Sequence, residues 1–382
     1  MGCRYILLLG ECATASRGDA SGVTRRLLAM GLQEHPANAG ARLFISPGTP
    51  TLRLPGGGVA IGHLFRQDGT RIVEPAQPPD GYWGEYLLVQ VPETGNSGIR
   101  ITRDPSGGVA CVHCIADGSG FATSDVSIAT RLGLYERCVD RNFIAHFLAY
   151  PYVKTARTGL AGINELLPGS VLHVHDHGVS ISHTWSPWDF VVPARRLTRI
   201  EESAAQLRTV VEMAVKAWAK VDKQALVELS GGLDSSIVAS CLRDTPAKPL
   251  CVTLLPELPG ADERLYAGAV ASRLGVELHV EPLAVEASRF DGPVPAWCAT
   301  PGIGPLQLAV DGIMDGVATR EGVQCFYSGG GGDTVFGFLG GAAPAVDAFL
   351  ERGPWAGLGA VVDLAALHQC TYWTSARTTL LA

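Results

Sequence analysis

No stretch of the 382 residues stays apolar for long enough to span a membrane, so no membrane partner is expected. Charge is sparse, at 18% of residues, and the 30 Lys and Arg gather into no long run. Against 37 Asp and Glu they leave a formal net charge of −7. An acidic surface repels phosphate backbones, which excludes nucleic-acid binding as a main role. The ten cysteines show no paired metal-ligand spacing: Cys111-Val-His-Cys114 stands alone, and a zinc ribbon needs a second pair. Scattered through a long chain, they read as reduced thiols in a cytoplasmic protein. The N-terminal run Tyr5–Leu9 is too short for an export signal, since Glu11 interrupts it two residues later, and it reads as a strand. Ile6 stands where myristoylation after Gly2 needs Ser or Thr.

What is present is glycine, 46 residues of it beside 24 prolines. A hydrophobic fraction of 47% supports sizeable cores, and the length suits roughly two domains. The glycines therefore belong in turns and ligand-cradling loops of a folded chain. Up to about residue 185 short strands alternate with turn signals: Tyr86–Val91, Ile99–Arg103, Val109–Cys114, and Val171–His175 paired with Val179–Ile181 across Asp176-His177-Gly178. One helix is expected over Arg141–Ala149. Trp185 and Trp188 flank Pro187 in a connector, and packing between domains is the plain reading of both. His173, His175 and His177 alternate, but a hairpin tip at His177 argues against a shared metal site.

From Thr198 the rhythm changes. Ile200, Ala204, Leu207, Val211, Ala214 and Trp218 recur at helical spacing. Strands then alternate with helices: Ala225–Leu229, Ser235–Arg243, Leu250–Leu255, Asp262–Leu274, Val276–Val280 and Val323–Tyr327. This is the pattern of a parallel, doubly wound sheet, whose ligands bind at the carboxyl ends of its strands.

One such strand end carries chemistry. Leu229 leads into Ser230-Gly231-Gly232-Leu233-Asp234-Ser235-Ser236 and straight on into a helix. Two glycines let the backbone turn tightly around an anion, and a helix N-terminus adds partial positive charge. Three hydroxyls donate further bonds, and Asp234 is suited to hold the Mg²⁺ that accompanies a polyphosphate. A P-loop would need Gly-Lys-Ser/Thr, and the lysine is absent. A second cluster, Ser328-Gly329-Gly330-Gly331-Gly332-Asp333-Thr334-Val335-Phe336-Gly337, follows the last strand. Glycines there allow close approach of a ligand.

These two loops, in this order, resemble those of the asparagine-synthetase family. The resemblance implies an ATP-pyrophosphatase domain over 198–382 that cleaves ATP to AMP and pyrophosphate. A carboxylate would be adenylated and then captured by an amine. It also implies ATP contacts at Leu229, Ser230, Gly231, Gly232, Leu233, Asp234, Ser235, Ser236, Ser328 and Gly329, with Thr253 near adenine. Asp234 and Asp333 would be the catalytic Mg²⁺ ligands. Over residues 1–190 the segments Trp83–Tyr86, Arg103-Asp104-x-x-Gly107, Phe121–Asp125 and Gly162–Gly169 resemble worn amidotransferase landmarks. The expected fold class is thus α/β, with a degenerate, Ntn-type glutaminase-like antiparallel sandwich (α+β) preceding the ATP domain.

Departures from the family sharpen the reading. Glutaminase members expose a cysteine once Met is removed, but here Gly2 intervenes and Cys3 comes one place late. The glutamine-binding segment is also missing, so the amine must come with the substrate. Asparagine synthetases carry Glu, and β-lactam synthetases Tyr, where Gly330 stands. A glycine run there is similar to lasso-peptide cyclases. The leading expectation is therefore a macrolactam synthetase of bacterial cytoplasm, joining an Asp or Glu side chain of a precursor peptide to its N-terminal amine. Its implied partners are that peptide, a leader-peptide protease and a leader-recognition protein. The alternatives are an amide ligase acting on a small substrate, or a non-catalytic nucleotide- or peptide-binding relative. The family's late lysine has no counterpart beyond Lys248, and truncation at the C-terminus is the expectation drawn from that.

Overall fold

The computed structural model describes the chain except residues 1–2, 14–21, 37–39, 75–80, 91–97, 152, 176–177, 196, 222–223, 285–294, 303, 337–340, 369 and 382, and gives backbone alone at 304–306, 333, 336 and 381. Strands dominate the first half: β1 (Tyr5–Leu9), β2 (Gln33–His35), β3 (Ala41–Ile45), β4 (Thr51–Arg53), β5 (Val59–Phe65) and β6 (Trp83–Gln90). They continue as β7 (Ile99–Arg103), β8 (Val112–Ala116), β9 (Ser119–Thr123), β10 (Asn164–Glu165), β11 (Ser170–His175) and β12 (Gly178–His183). Among the described residues these form two six-stranded sheets, ordered β10-β8-β9-β1-β3-β2 and β12-β11-β7-β6-β5-β4. Every pairing in both is antiparallel.

The apolar run of β1 is buried on both faces, and its period of two divides the work. Tyr5, Leu7 and Leu9 join Ile61, Leu87 and Leu172 of the other sheet in the sandwich core. Ile6 and Leu8 face the opposite way, towards helices α1 (Val23–Ala29) and α2 (Val126–Leu132). A third helix, α3 (Arg141–Ala149), has the bounds expected from sequence.

After β12 ends at His183, α4 (Ile200–Ala219) opens the second half. Glu201 and Glu202 in its first turn and Lys216 in its last complement the helix dipole. There follow β13 (Gln224–Glu228), α5 (Leu233–Leu242), β14 (Lys248–Pro256), α6 (Arg264–Leu274), β15 (Leu278–Leu283), α7 (Gly304–Glu321), β16 (Phe326–Tyr327) and α8 (Gly332–Phe336). Helices α9 (Ala343–Arg352), α10 (Pro354–Leu367) and α11 (Tyr372–Leu381) pack together at the end. The sheet is parallel, ordered β15-β14-β13-β16. Its odd β13 positions Ala225 and Val227 pack beneath α5 and α6, while Leu226 faces α7. The chain is therefore an α/β protein, an antiparallel sandwich followed by a doubly wound parallel sheet.

Several boundaries shift from their expected places. The strand expected at Val276–Val280 runs over Leu278–Leu283, because Gly275 ends α6 in the left-handed conformation at φ +68° and a turn follows. Of Val323–Tyr327 only Phe326–Tyr327 pairs, and Val109–Cys114 becomes Val112–Ala116. The β11–β12 register joins His175 to Gly178, with residues 176 and 177 of the expected tip outside the described set. Trp188 does not pack between domains: it is 75% exposed on a short 3-10 turn. That contact is made by Trp218 on α4, whose ring meets His63 and Phe65 edge-on at 5.4 and 5.0 Å.

Candidate active site

In the order β15-β14-β13-β16 the chain reverses its direction of winding between β13 and β16, and both glycine loops leave the sheet there. This switch point is where open α/β sheets bind ligands. Leu229 keeps the ladder going by donating its N–H to the Val252 carbonyl at 2.8 Å. Beyond it, Ser230 Oγ accepts from the Gly232 N–H at 3.1 Å and lies 3.1 Å from Ser235 Oγ. Gly231 takes φ +84°, and a Cβ on it would lie 2.5 Å from the Ala267 nitrogen of α6.

The second loop folds onto the first. A Cβ on Gly329 would lie 2.5 Å from the Ser235 nitrogen, and one on Gly332 would fall into the Asp234 carboxylate. Ser328 Oγ accepts from the Gly330 N–H at 3.2 Å. The structure thus brings Ser230–Ser236 and Ser328–Gly332 together. Leu233 turns its side chain to solvent, while Thr253 is buried on β14 opposite Val280. Asp333 falls within α8, one residue past Gly332, but its side chain is outside the described set.

The loops have the donors that a polyphosphate needs. Helix α5 begins at Gly232 with no side-chain cap, leaving its first-turn N–H groups for a ligand. Ser236 Oγ is buried without a hydrogen-bond partner among the described residues, a cost of about 1–3 kcal/mol that a bound oxygen would relieve. Asp234 makes no ion pair among the described residues, and its carboxylate lies against Gly332.

In the first half, the worn landmarks converge on a structural knot. Buried Arg103 donates to the carbonyls of Val109, Gly107 and Leu166 and to Glu165 Oε1 at 2.9 Å. Asp104 accepts from the N–H groups of Tyr86, Ser106 and Gly107. Burial, and then Glu85, raise the Cys3 thiol above its ordinary range, so it is protonated at neutral pH. Cys111 and Cys114 pack into opposite faces of their sheet, which rules out a shared metal ion. Among the described residues no three His, Cys, Asp or Glu side chains gather as a metal site.

Sequence reasoning passed over Glu228. It ends β13 after the buried apolar run Ala225–Val227 and lines a cavity together with Asp311, Tyr327 and Ser328. A charge closing a buried strand was the available signal.

Fold and loops define a doubly wound α/β domain with two glycine loops in contact at its switch point. Residues 206–366 match the sequence family described as asparagine synthase. Over 207 residues the chain is 30% identical to Amidase chyE of Penicillium rubens, an alignment covering 47% of this chain and 29% of that protein. Over 206 residues it is 26% identical to the carboxyethyl-arginine beta-lactam-synthase of Streptomyces clavuligerus, covering 48% of this chain and 36% of that protein. The chain thus spans about a third of the length of these relatives. A glutamine-dependent NAD+ synthetase from Acinetobacter baumannii, solved with ADP, superposes at a TM-score of 0.28 and 16% identity. It covers 43% of this chain and 33% of that one, a likeness too slight to carry an argument.

Proposed function

We infer that the protein is an ATP-dependent amide ligase that activates a carboxylate as its adenylate and joins it to an amine, releasing AMP and pyrophosphate. The observation that carries this is the contact of the two glycine loops at the sheet's switch point, with Asp234 lodged against Gly332. The loop N–H groups and the α5 N-terminus would hold the phosphates, and Ser236 would donate to one of them. Asp234 and Asp333, the residue after Gly332, would hold Mg²⁺, which when bound offsets charge on the departing pyrophosphate.

The finer reading is a macrolactam synthetase for a precursor peptide. Gly330 supports it: among the described residues a Cβ there would meet only Ser328 Oγ, at 3.1 Å, which leaves room for a folded peptide. Holding amine against adenylate supplies up to about 7–11 kcal/mol of the barrier through proximity. The precursor peptide, a leader-peptide protease, a leader-recognition protein and a bacterial cytoplasmic setting complete the proposal. Among the described residues no helix is long and apolar enough to cross a membrane. Similarity to the beta-lactam-synthase favours a second reading, ring closure within a small molecule.

The test supplies ATP, Mg²⁺, a candidate precursor and its protease, and looks by mass spectrometry for a product lighter by one water. Asp234→Ala should abolish that product while leaving the fold intact. Ammonia-dependent asparagine formation in place of ring closure would overturn the peptide reading.

A further inference from the structure

On the face of the parallel sheet turned towards α7, a cavity of about 500 Å³ opens at the carboxyl ends of β13 and β16. It reaches Ser328, the first residue of the second glycine loop, and so adjoins the candidate adenylation site. Val310, Met314 and Phe326 give it an apolar wall, while Glu228, Asp311 and Asp315 give it carboxylates. Among the described residues that line it, none is basic. Of these three carboxylates Glu228 is the nearest in sequence to the candidate phosphate-binding turn, ending β13 two residues before Ser230. Space, an apolar wall and uncompensated negative charge suit a small organic cation, and the reaction inferred above has one, the ammonium form of the attacking amine.

We propose that this cavity seats the attacking amine and that Glu228 is the base that takes its proton. The proposal rests on the amide-ligase reading. At neutral pH the amine arrives as an ammonium and first sheds one proton to solvent, becoming nucleophilic. Its nitrogen lone pair then forms the C–N bond at the adenylate carbonyl. AMP leaves with the electron pair of the broken C–O bond, and the second nitrogen proton passes to the Glu228 carboxylate. Burial, then Asp311 and Glu263, push the Glu228 carboxyl above its ordinary range, which makes it a stronger base than a solvated glutamate. Asp311 and Asp315 of α7 would hold the cation's charge while Glu228 accepts the proton. Gly330 itself has no side chain to compete for this role.

Calorimetry with benzylammonium and neutral benzyl alcohol as probes, in the presence of Mg-ATP, tests the seat directly. The cation should bind and the alcohol should not. Glu228→Gln, which keeps shape and loses charge, should weaken the cation about 10- to 100-fold. Asp311→Asn should weaken it less and serves if the first variant fails to fold. Equal binding of cation and alcohol, or binding untouched by both variants, would overturn the proposal. ATP binding is titrated in the same samples. Its absence from the wild type would sink the ligase reading, an outcome separate from the fate of the amine seat. With a peptide that cyclises, Glu228→Gln should cut ring closure about 100-fold or more while the first-turnover release of pyrophosphate persists. Equal loss of both steps would instead make Glu228 part of the nucleotide site and overturn its role as base.

Discussion

His113 sits at the centre of the sequence's sole cysteine pair with metal-like spacing, yet its surroundings give it a different physical role. It is 3% exposed on β8, opposite Ala122, and its Nε2 has no partner among the described residues. Burial alone lowers its pKa to about 4 from an ordinary 6.5. The folded chain therefore holds it neutral, whereas the unfolded chain protonates below about pH 6.5. Stability from this residue is complete above that pH and drains away as pH falls towards 4. By pH 4.5 the loss reaches about 2.5 kcal/mol. Urea midpoints at pH 7.5 and 4.5 should fall further apart in the wild type than in His113→Leu, which cannot titrate. Parallel profiles would show that His113 is already charged inside the fold.

At the scale of elements, the glycine turn after β13 is shaped by its neighbour as much as by its own sequence. Gly231 holds φ +84° with the α6 backbone 2.5 Å from any Cβ it might carry, and backbone cannot step aside as a side chain can. Among the described residues Gly330 has only the Ser328 hydroxyl near it. Gly231→Ala should therefore weaken nucleotide binding at least about tenfold and lower the melting temperature, while Gly330→Ala should leave stability within about 0.5 kcal/mol. Comparable effects of the two changes, by thermal melts and nucleotide titration, would contradict this account. The same contrast explains what was legible beforehand. Gly231, Gly329 and Asp234 could be read because strand, glycines and helix follow one another in the chain, and local order is what sequence displays. The cavity at Glu228 depends on α7 crossing the sheet some 80 residues later, a contact no local pattern encodes. The C-terminal helices escaped notice because α10 is apolar nearly throughout, without the polar face that marks helical period. In the first half, the sandwich strands were readable where turns framed them, as at Ile99–Arg103 and β11–β12. The knot of Arg103, Asp104 and Glu165 joined segments 62 residues apart and was visible only as separate landmarks.

For the whole molecule, the question is what couples the sandwich to the parallel sheet. Helix α4 does so with its two faces. Ala219 enters the core beneath the parallel sheet. Met213 and Ala217 close on Gly69, and Trp218 sets its ring against His63 and Phe65. Phe65 in turn stacks on Trp83 at 4.7 Å. A second tether lies elsewhere, where Gly159 donates to the Ala299 carbonyl at 2.9 Å and Arg137 donates to Ala296 and Cys298. Both tethers join the halves, but only the first is an aromatic cluster whose removal leaves a void. Trp218→Ala should cost about 2–4 kcal/mol through lost transfer energy and an unfilled cavity. Because His63 and Phe65 belong to one half and α4 to the other, the loss should show as uncoupling. Calorimetric unfolding should broaden or split, and limited proteolysis between residues 184 and 199 should quicken. Trp188→Ala, in the same linker region but 75% exposed, should do neither. If both tryptophans prove equally dispensable, the halves are held by the Arg137 tether, and Arg137→Ala should then produce the split that Trp218→Ala did not.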